Sequence, residues 1–319
     1  KEVTRDGATH MLNLRVETIP TMYGQDAVLR LFNFDESMLN LDYLGLGASE
    51  RAQIDEVVSH PRGMVLAVGP TGSGKSTTLY SIINALNTTD RKIITLEDPI
   101  EYGIPGISQI PIDTTNGQSF ADGLRSVLRQ DPDVVMIGEI RDADTAKTAI
   151  QASITGHLVL SSFHANSTSA AFSRMIDLIG ANPIFSSAIR LVIAQRLVRR
   201  LDDETKEAYL PDEATKKWVQ MALKDLPPHV EKPDLETFTL WKPVVSENSP
   251  FGFKGRIVIM EQMIINEGIQ KFLRGDVAEV HTEVIEKAAR EGGMVTLLEH
   301  GVLAALRGET TLDEVNRVI

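Results

Sequence analysis

The chain has 319 residues, a formal net charge of -12 and 42% hydrophobic residues. That length suits about two domains with a full core, and the acidic balance argues against broad electrostatic binding to nucleic acid, which draws its affinity from Lys and Arg on phosphates. Zero cysteines exclude disulfides and cysteine-ligated zinc. No run of about 18 apolar residues offers a membrane-spanning helix, and Lys1-Glu2-Val3-Thr4 carries no apolar signal region, so a cytoplasmic address is expected.

Residues 1–36 read as β-rich: Met11, Leu12, Leu14 and Val16 mark one strand and Ala27 to Phe32 another, with Pro20 and Tyr23-Gly24 marking the turn between them. So few strands do not make a stable sheet alone, and the segment is expected to be the tail of a larger N-terminal domain. Residues 37–48, punctuated by Gly45 and Gly47, read as a linker. Ser49 is predicted to cap a helix that keeps Ile54, Val57 and Val58 on one face and ends at Pro61-Arg62-Gly63.

The apolar run Met64 to Val68 then leads into Gly69-Pro70-Thr71-Gly72-Ser73-Gly74-Lys75-Ser76 and a helix-like stretch from Thr77 to Leu86. This is the pattern G-x-x-x-x-G-K-[ST] in its expected setting of strand, glycine loop and helix. Glycines let the backbone curl so that successive N–H groups converge on a polyphosphate, and the following helix adds positive charge at its N-terminus. Lys75 is expected to reach the β and γ phosphates, and the Ser76 hydroxyl to ligate Mg²⁺. The competing reading is a glycine-rich turn that happens to carry Gly-Lys-Ser. It gives no reason for the three glycines, the lysine and the hydroxyl to stand together.

Three further apolar runs follow. Lys92 to Leu96 ends in Glu97-Asp98-Pro99-Ile100-Glu101, Asp133 to Gly138 ends at Glu139, and His157 to Ser161 leads to Phe163-His164, while Phe120, Leu124, Val127 and Leu128 keep helical spacing. Apolar strands alternating with helices predict an α/β fold: a parallel sheet with helices on both faces and ligands at the carboxyl ends of its strands. Residues 201–250, with Asp202-Asp203-Glu204 and several prolines, read as a charged insertion with one helix bearing Val219, Leu223 and Leu226. A strand from Arg256 to Ile265 returns to the core. Helices then fill residues 266–319, including Val284 to Ala289, Thr296 to Leu306, and a last one opened by Thr311 and Glu314.

Several strand-end residues suit phosphoryl chemistry. Glu139 stands where nucleotide hydrolases keep the acid that holds Mg²⁺ through water or activates the attacking water, and Glu97 offers a second carboxylate at another strand tip. The alternative for Glu97 is a capping or surface acid. His164 is placed to hydrogen-bond a γ-phosphate, against the alternative of a core histidine. His157 lies about 24 Å away along an extended strand. Arg15 and Arg30 lie outside the core, where an arginine lent by a neighbouring domain or subunit can neutralise transition-state charge. Arg141, Arg196, Arg199 and Arg200 are further candidates, and Gln195 to Arg200 reads as a basic helix end.

Taken together, Thr71 to Tyr80, Ile94 to Tyr102, Gly138-Glu139-Ile140-Arg141-Asp142, and Thr155 to Leu160 with Phe163-His164 resemble the secretion-superfamily motor ATPases. These power type IV pilus assembly and type II secretion, and the four blocks correspond to that family's Walker A, Asp-box, Walker B and His-box segments, in family order. The resemblance runs from about residue 12 to the C-terminus.

It implies a RecA-like P-loop core over residues 49–319, preceded by a partial, PAS-like N-terminal domain at 1–36 and a linker at 37–48. It also implies a cytoplasmic homohexamer at the inner face of the cell membrane that hydrolyses ATP with Mg²⁺ and acts on an inner-membrane platform protein and associated pilus or secretion proteins, with no nucleic acid. By the same resemblance Gly69 to Thr77 would bind the nucleotide, Glu97 would activate water, Glu139 would organise Mg²⁺ with Ser76, His164 would sense the γ-phosphate, and Arg15 and Arg30 would be arginine fingers. Gln195-Arg196-Leu197 with Met260 onward resembles the assembly and secretion branch. The alternatives are the retraction branch and a nucleotide-gated scaffold with little turnover. One departure stands out: assembly and secretion motors commonly carry a four-cysteine zinc subdomain after the segment matched by Leu197 to Leu201, and here Asp202-Asp203 and Phe251-Gly252-Phe253 stand instead, so no zinc is expected.

Overall fold

The computed structural model describes residues 2–5, 8–11, 13–32, 39–277 and 280–319, with backbone alone for those up to 15 and for 30–32. Strands β1 (Glu2–Arg5) and β2 (Ala8–Met11) pair antiparallel, and β3 (Asn13–Thr21) and β4 (Gly24–Phe32) form a hairpin. Pro20 lies inside β3 opposite Gln25 rather than in the turn. A two-stranded ribbon has free edges, where the missing proline N–H removes no ladder bond. Val16, Ile19, Val28 and Leu29 of this hairpin are all exposed.

The core follows in alternation: α1 (Ala48–Ser59), β5 (Gly63–Val68), α2 (Lys75–Leu86), β6 (Ile93–Glu97), β7 (Ser108–Pro111), α3 (Phe120–Val127), β8 (Val134–Ile137), α4 (Ala143–Thr155), β9 (Leu158–Phe163), α5 (Thr168–Ile179) and β10 (Ile189–Leu201). The chain continues through β11 (Glu207–Tyr209), α6 (Glu213–Ala222), β12 (Leu240–Lys242), β13 (Phe253–Ile264), α7 (Glu267–Arg274), α8 (Thr282–Glu291), α9 (Leu297–Leu306) and α10 (Leu312–Val318). Seven strands make one sheet in the order β13-β10-β5-β9-β8-β6-β7. Every neighbouring pair is parallel except β10 with β13, so the predicted parallel sheet carries one antiparallel edge strand.

The period-2 alternation of side chains divides each central strand between two cores. Met64, Leu66 and Val68 of β5 join Val135 and Ile137 of β8 and Val159 and Phe163 of β9 on the face covered by α3, α4 and α5. Val65 and Ala67 join Met136, Leu158 and Leu160 on the face covered by α1 and α2. Burying one such large apolar side chain contributes about 1.5–3 kcal/mol, which is why runs apolar on both faces become central strands.

Three local readings change. Gln195 to Arg200 lies within β10 rather than at a helix end, because Ile189, Leu191, Val192, Ile193, Ala194 and Val198 are apolar to both sides and need cover on both. Ser49 lies inside α1, whose cap is Gly47. Within the stretch read as a linker, Leu39, Leu41 and Leu44 are buried in the second core, and Asn84 of α2 donates to the Leu39 carbonyl at 3.2 Å.

The charged insertion also has a core of its own, in which Val219, Leu223, Leu226, Phe238 and Leu240 pack with Val302 of α9. At its root Leu201 pairs with Phe253, the Asp202 N–H donates to the Gly252 carbonyl at 3.2 Å, and the Arg199 guanidinium sits 4.1 Å from the Phe253 ring centre. Apolar packing and strand pairing thus close the segment at its root.

The C-terminal helices dock through charge. Thr296 and Glu299 form a capping box that opens α9, whereas at α10 Thr311 accepts from the Glu314 N–H and the Glu314 carboxylate turns to Arg199 and Arg317 at 2.7 and 2.8 Å. Burial works to raise the Glu314 carboxyl, but hydrogen bonds from Arg199 and Arg317 outweigh it together and hold the group at about 2. An unfolded glutamate titrates near 4.3, so this stabilisation, roughly 3 kcal/mol, is fully present above that pH and is lost as pH falls toward 2. Thermal melts of wild type and Glu314→Gln are therefore expected to differ at neutral pH and to converge on acidification through that interval. A constant gap at every pH would contradict the coupling.

Candidate active site

Four neighbouring strands, β5, β9, β8 and β6, end within two register positions of one another: Val68 pairs with Phe163, Ser161 with Ile137, and Ile137 with Leu96. Parallel pairing brings their carboxyl ends to one edge of the sheet. The glycine loop after β5, His164 after β9, Glu139 after β8 and Glu97 at the end of β6 therefore stand side by side.

The loop is built around glycine. Gly69, Gly72 and Gly74 have φ of +149, +79 and +91, in the half of backbone space that side chains disfavour. A Cβ on Gly69 would lie 2.5 Å from Ser73 Oγ and 2.7 Å from the Gln195 carbonyl. Helices α4 and α5, which also start at strand tips, are capped by the side chains of Asp142 and Ser167, but α2 has Gly74 and no side-chain cap. Its first N–H groups are left to an anion. Lys75 Nζ donates to the Gly69 and Pro70 carbonyls, each at 2.9 Å, holding the ammonium over the loop. Burial lowers the Lys75 ammonium from its ordinary value, with Glu139 opposing and Arg196 reinforcing the shift. Gln195 of β10 braces the loop from beneath, donating to the Ser73 carbonyl at 2.9 Å.

Glu139 sits between Arg141 and His164. Arg141 hydrogen-bonds its Oε1, and His164 Nε2 lies 3.4 Å from its Oε2, a buried oxygen without a hydrogen bond. The carboxylate raises the Arg141 guanidinium, its hydrogen bond being the largest cause. His164 is half-exposed rather than a core histidine and lines, with Gly69, Pro70, Asn166 and Arg174, an open cleft of about 370 Å³. Arg174 steadies that loop by donating to the His164 carbonyl at 3.0 Å, and Arg196 donates to the Asn166 carbonyl at 3.0 Å. His157, at the far end of β9, contacts the Ala152 carbonyl instead.

Glu97 is buried and held by three hydrogen bonds rather than a surface or capping acid. Tyr80 donates to its Oε2, and Thr95 and Gln109 donate to Oε1 at 2.5 and 3.0 Å. Asp98 accepts from the Thr114 hydroxyl. Arg15 and Arg30 face each other in register across β3 and β4, while their side chains lie outside the described residues. Arg199 and Arg200 are engaged by Glu314 and Asp203.

The donor set fits a Mg-bound triphosphate. The glycines leave a cradle that a Cβ would fill, the α2 N-terminus is uncapped, and Ser73 Oγ, Gln195 Oε1 and Glu139 Oε2 are buried without hydrogen bonds. Motif reading missed Tyr80, Thr95, Gln109, Arg174 and Gln195. Two signals were available: Thr95 interrupts the apolar run Ile93 to Leu96 and Gln195 directly follows the apolar run Leu191 to Ala194, and Tyr80 follows Ser76 by one helical turn.

Type II secretion system protein E of Xanthomonas campestris is 42% identical over 311 residues, covering 96% of this chain and 52% of that protein. The type IV pilus assembly ATPase PilB of Thermus thermophilus is 39% identical over 313 residues, 98% of this chain and 34% of that protein. The chain thus spans about half the length, or less, of these two relatives. Among solved structures, the Legionella pneumophila ATPase DotB superposes with a TM-score of 0.67 at 22% identity, over 100% of this chain and 75% of DotB. The pilus retraction motor PilT with bound ADP gives 0.65 at 24%, over 100% and 76%. Both share the fold. The family model for Type II/IV secretion system proteins matches residues 4–317, and the chain belongs to that family.

Proposed function

We propose that this chain is the ATP-hydrolysing part of a cytoplasmic hexameric motor that assembles a type IV pilus or a type II secretion pseudopilus. The observation that carries the reading is the convergence of Lys75, Glu97, Glu139 and His164 on one edge of the sheet around an uncapped glycine loop. The loop N–H groups and Lys75 hold the phosphates, with Lys75 exchanging its two carbonyl partners for phosphate oxygens. Ser76 and Glu139 would hold Mg²⁺, which would supply charge neutralisation to the phosphates. Glu97 takes the proton from the attacking water, and His164, next to Glu139, registers the γ-phosphate.

In the same reading the N-terminal piece at 1–36 belongs to a separate domain, and its exposed hairpin carries Arg15 and Arg30 to the site of a neighbouring subunit. Hydrolysis then moves that domain against the next core, and the output is passed to an inner-membrane platform protein. No described helix is long and apolar enough to cross a membrane.

Steady-state phosphate release by the full-length oligomer with Mg-ATP tests the motor against a nucleotide-gated scaffold, which would bind without turning over. Arg15→Ala is expected to lower turnover by about 10³-fold, the low end of the effect of an arginine finger, in the assembled oligomer alone. An equal loss in dissociated subunits would contradict action across an interface.

A further inference from the structure

We propose that Tyr80 is a positioning residue for hydrolysis: its hydroxyl, carried on the helix that follows the glycine loop, holds the Glu97 carboxylate aligned with the face of that helix that carries Ser76. The proposal rests on Glu97 being the base.

Glu97 is 4% exposed, and a buried carboxylate keeps its charge only where donors replace water. Among the described residues those donors are neutral: the Tyr80 hydroxyl on Oε2, and Thr95 Oγ1 and Gln109 Nε2 on Oε1. Each is placed by secondary structure. Thr95 precedes Glu97 by two residues, on the same face of β6, and Gln109 of β7 is the register partner of Thr95. Gln109 is itself tied down, donating to the Tyr102 carbonyl at 2.9 Å and accepting from the Ile104 N–H at 2.6 Å.

Tyr80 comes from a different layer. It follows Ser76 by four residues, so the two share one face of α2 about 6 Å apart along its axis. The face that offers Ser76 to the metal therefore offers Tyr80 to the base. Burial, and then the Glu97 carboxylate, raise the Tyr80 phenol, so it stays a donor across the working pH range. The three bonds use three of about four acceptor positions on a carboxylate, leaving one for the proton of the attacking water.

Other titratable groups on the surrounding elements are Asp98 and Glu101 at the exit of β6, and Glu139, Arg141 and His164 at the tips of β8 and β9. Asp98 takes the Thr114 hydroxyl, and Glu139 takes Arg141 and His164.

Tyr80→Phe keeps the ring and removes the donor. In the full-length oligomer kcat is expected to fall about tenfold with KM for ATP within about twofold, and the acid limb of kcat/KM to move up by about one pH unit, because the ionised base loses a stabilising hydrogen bond. Thr95→Val, which removes a donor from Oε1, is expected to move the limb the same way. Unchanged kcat and limb in Tyr80→Phe, alongside a Glu97→Gln variant that no longer turns over, would overturn the positioning role and leave the base in place. Wild-type turnover in Glu97→Gln would overturn the base itself, and the proposal with it. A parallel loss of kcat and nucleotide affinity with an unmoved limb marks a merely structural tyrosine and also counts against it. Should Tyr80→Phe fail to fold, as judged by its melting midpoint, the limb of Thr95→Val decides the matter.

Discussion

Lys75→Ala is expected to abolish measurable turnover, a loss of at least about 10²–10³-fold, the scale seen when one preorganised donor to a developing anion is removed. The reason is local. The lysine is the cation held over the loop, 2.9 Å from the Gly69 and Pro70 carbonyls, and its charge is close enough to Glu139 to be felt there. Alanine leaves two carbonyl dipoles and a carboxylate near the phosphates with no lysine to offset them. Binding of a fluorescent ATP analogue and phosphate release are the two measurements. Unaltered values for both would show that the glycine loop is not the nucleotide site.

Glu139→Gln is expected to separate binding from chemistry. The amide keeps the side-chain shape but removes the charge that pairs with Arg141 and stands 3.4 Å from His164. Affinity for Mg-ATP should stay within a few-fold, since in the proposed reading the loop and Lys75 hold the phosphates, while kcat falls by about 10²-fold, a general acid–base or metal-organising contribution. Single-turnover kinetics distinguish this from slow product release. A variant that lost binding and kept its single-turnover rate would assign Glu139 to nucleotide affinity instead.

The two substitutions probe parts of the site that differ in how openly they are written in the chain. The glycine loop is contiguous, and its conformation follows from local sterics: no side chain tolerates the Gly69 position once Ser73 and Gln195 are in place. Glu97, Glu139 and His164 are far apart in sequence, yet each closes an apolar run, and parallel pairing of such runs brings their ends together. The readings that failed are those where two structures share one pattern. Gln195 to Arg200 is basic and apolar by turns, which suits either a helix end or a strand, and only pairing with both β5 and β13 makes it a strand. Leu39, Leu41 and Leu44 looked like linker because their partners, on α1 and α2, come later in the chain.

Residue order alone was enough for the alternation of strand and helix, the glycine loop between strand and helix and the ionisable strand tips, because these rest on periodicity and on the steric demands of neighbouring residues. It could not supply the direction of the edge strand β13, the small core of the insertion or the donors around Glu97. Those depend on contacts between residues distant in the chain, such as Tyr80 with Glu97 and Val219 with Val302. A hydrogen bond or an apolar contact requires two surfaces to meet, and which surfaces meet is decided when the sheet and its helices pack.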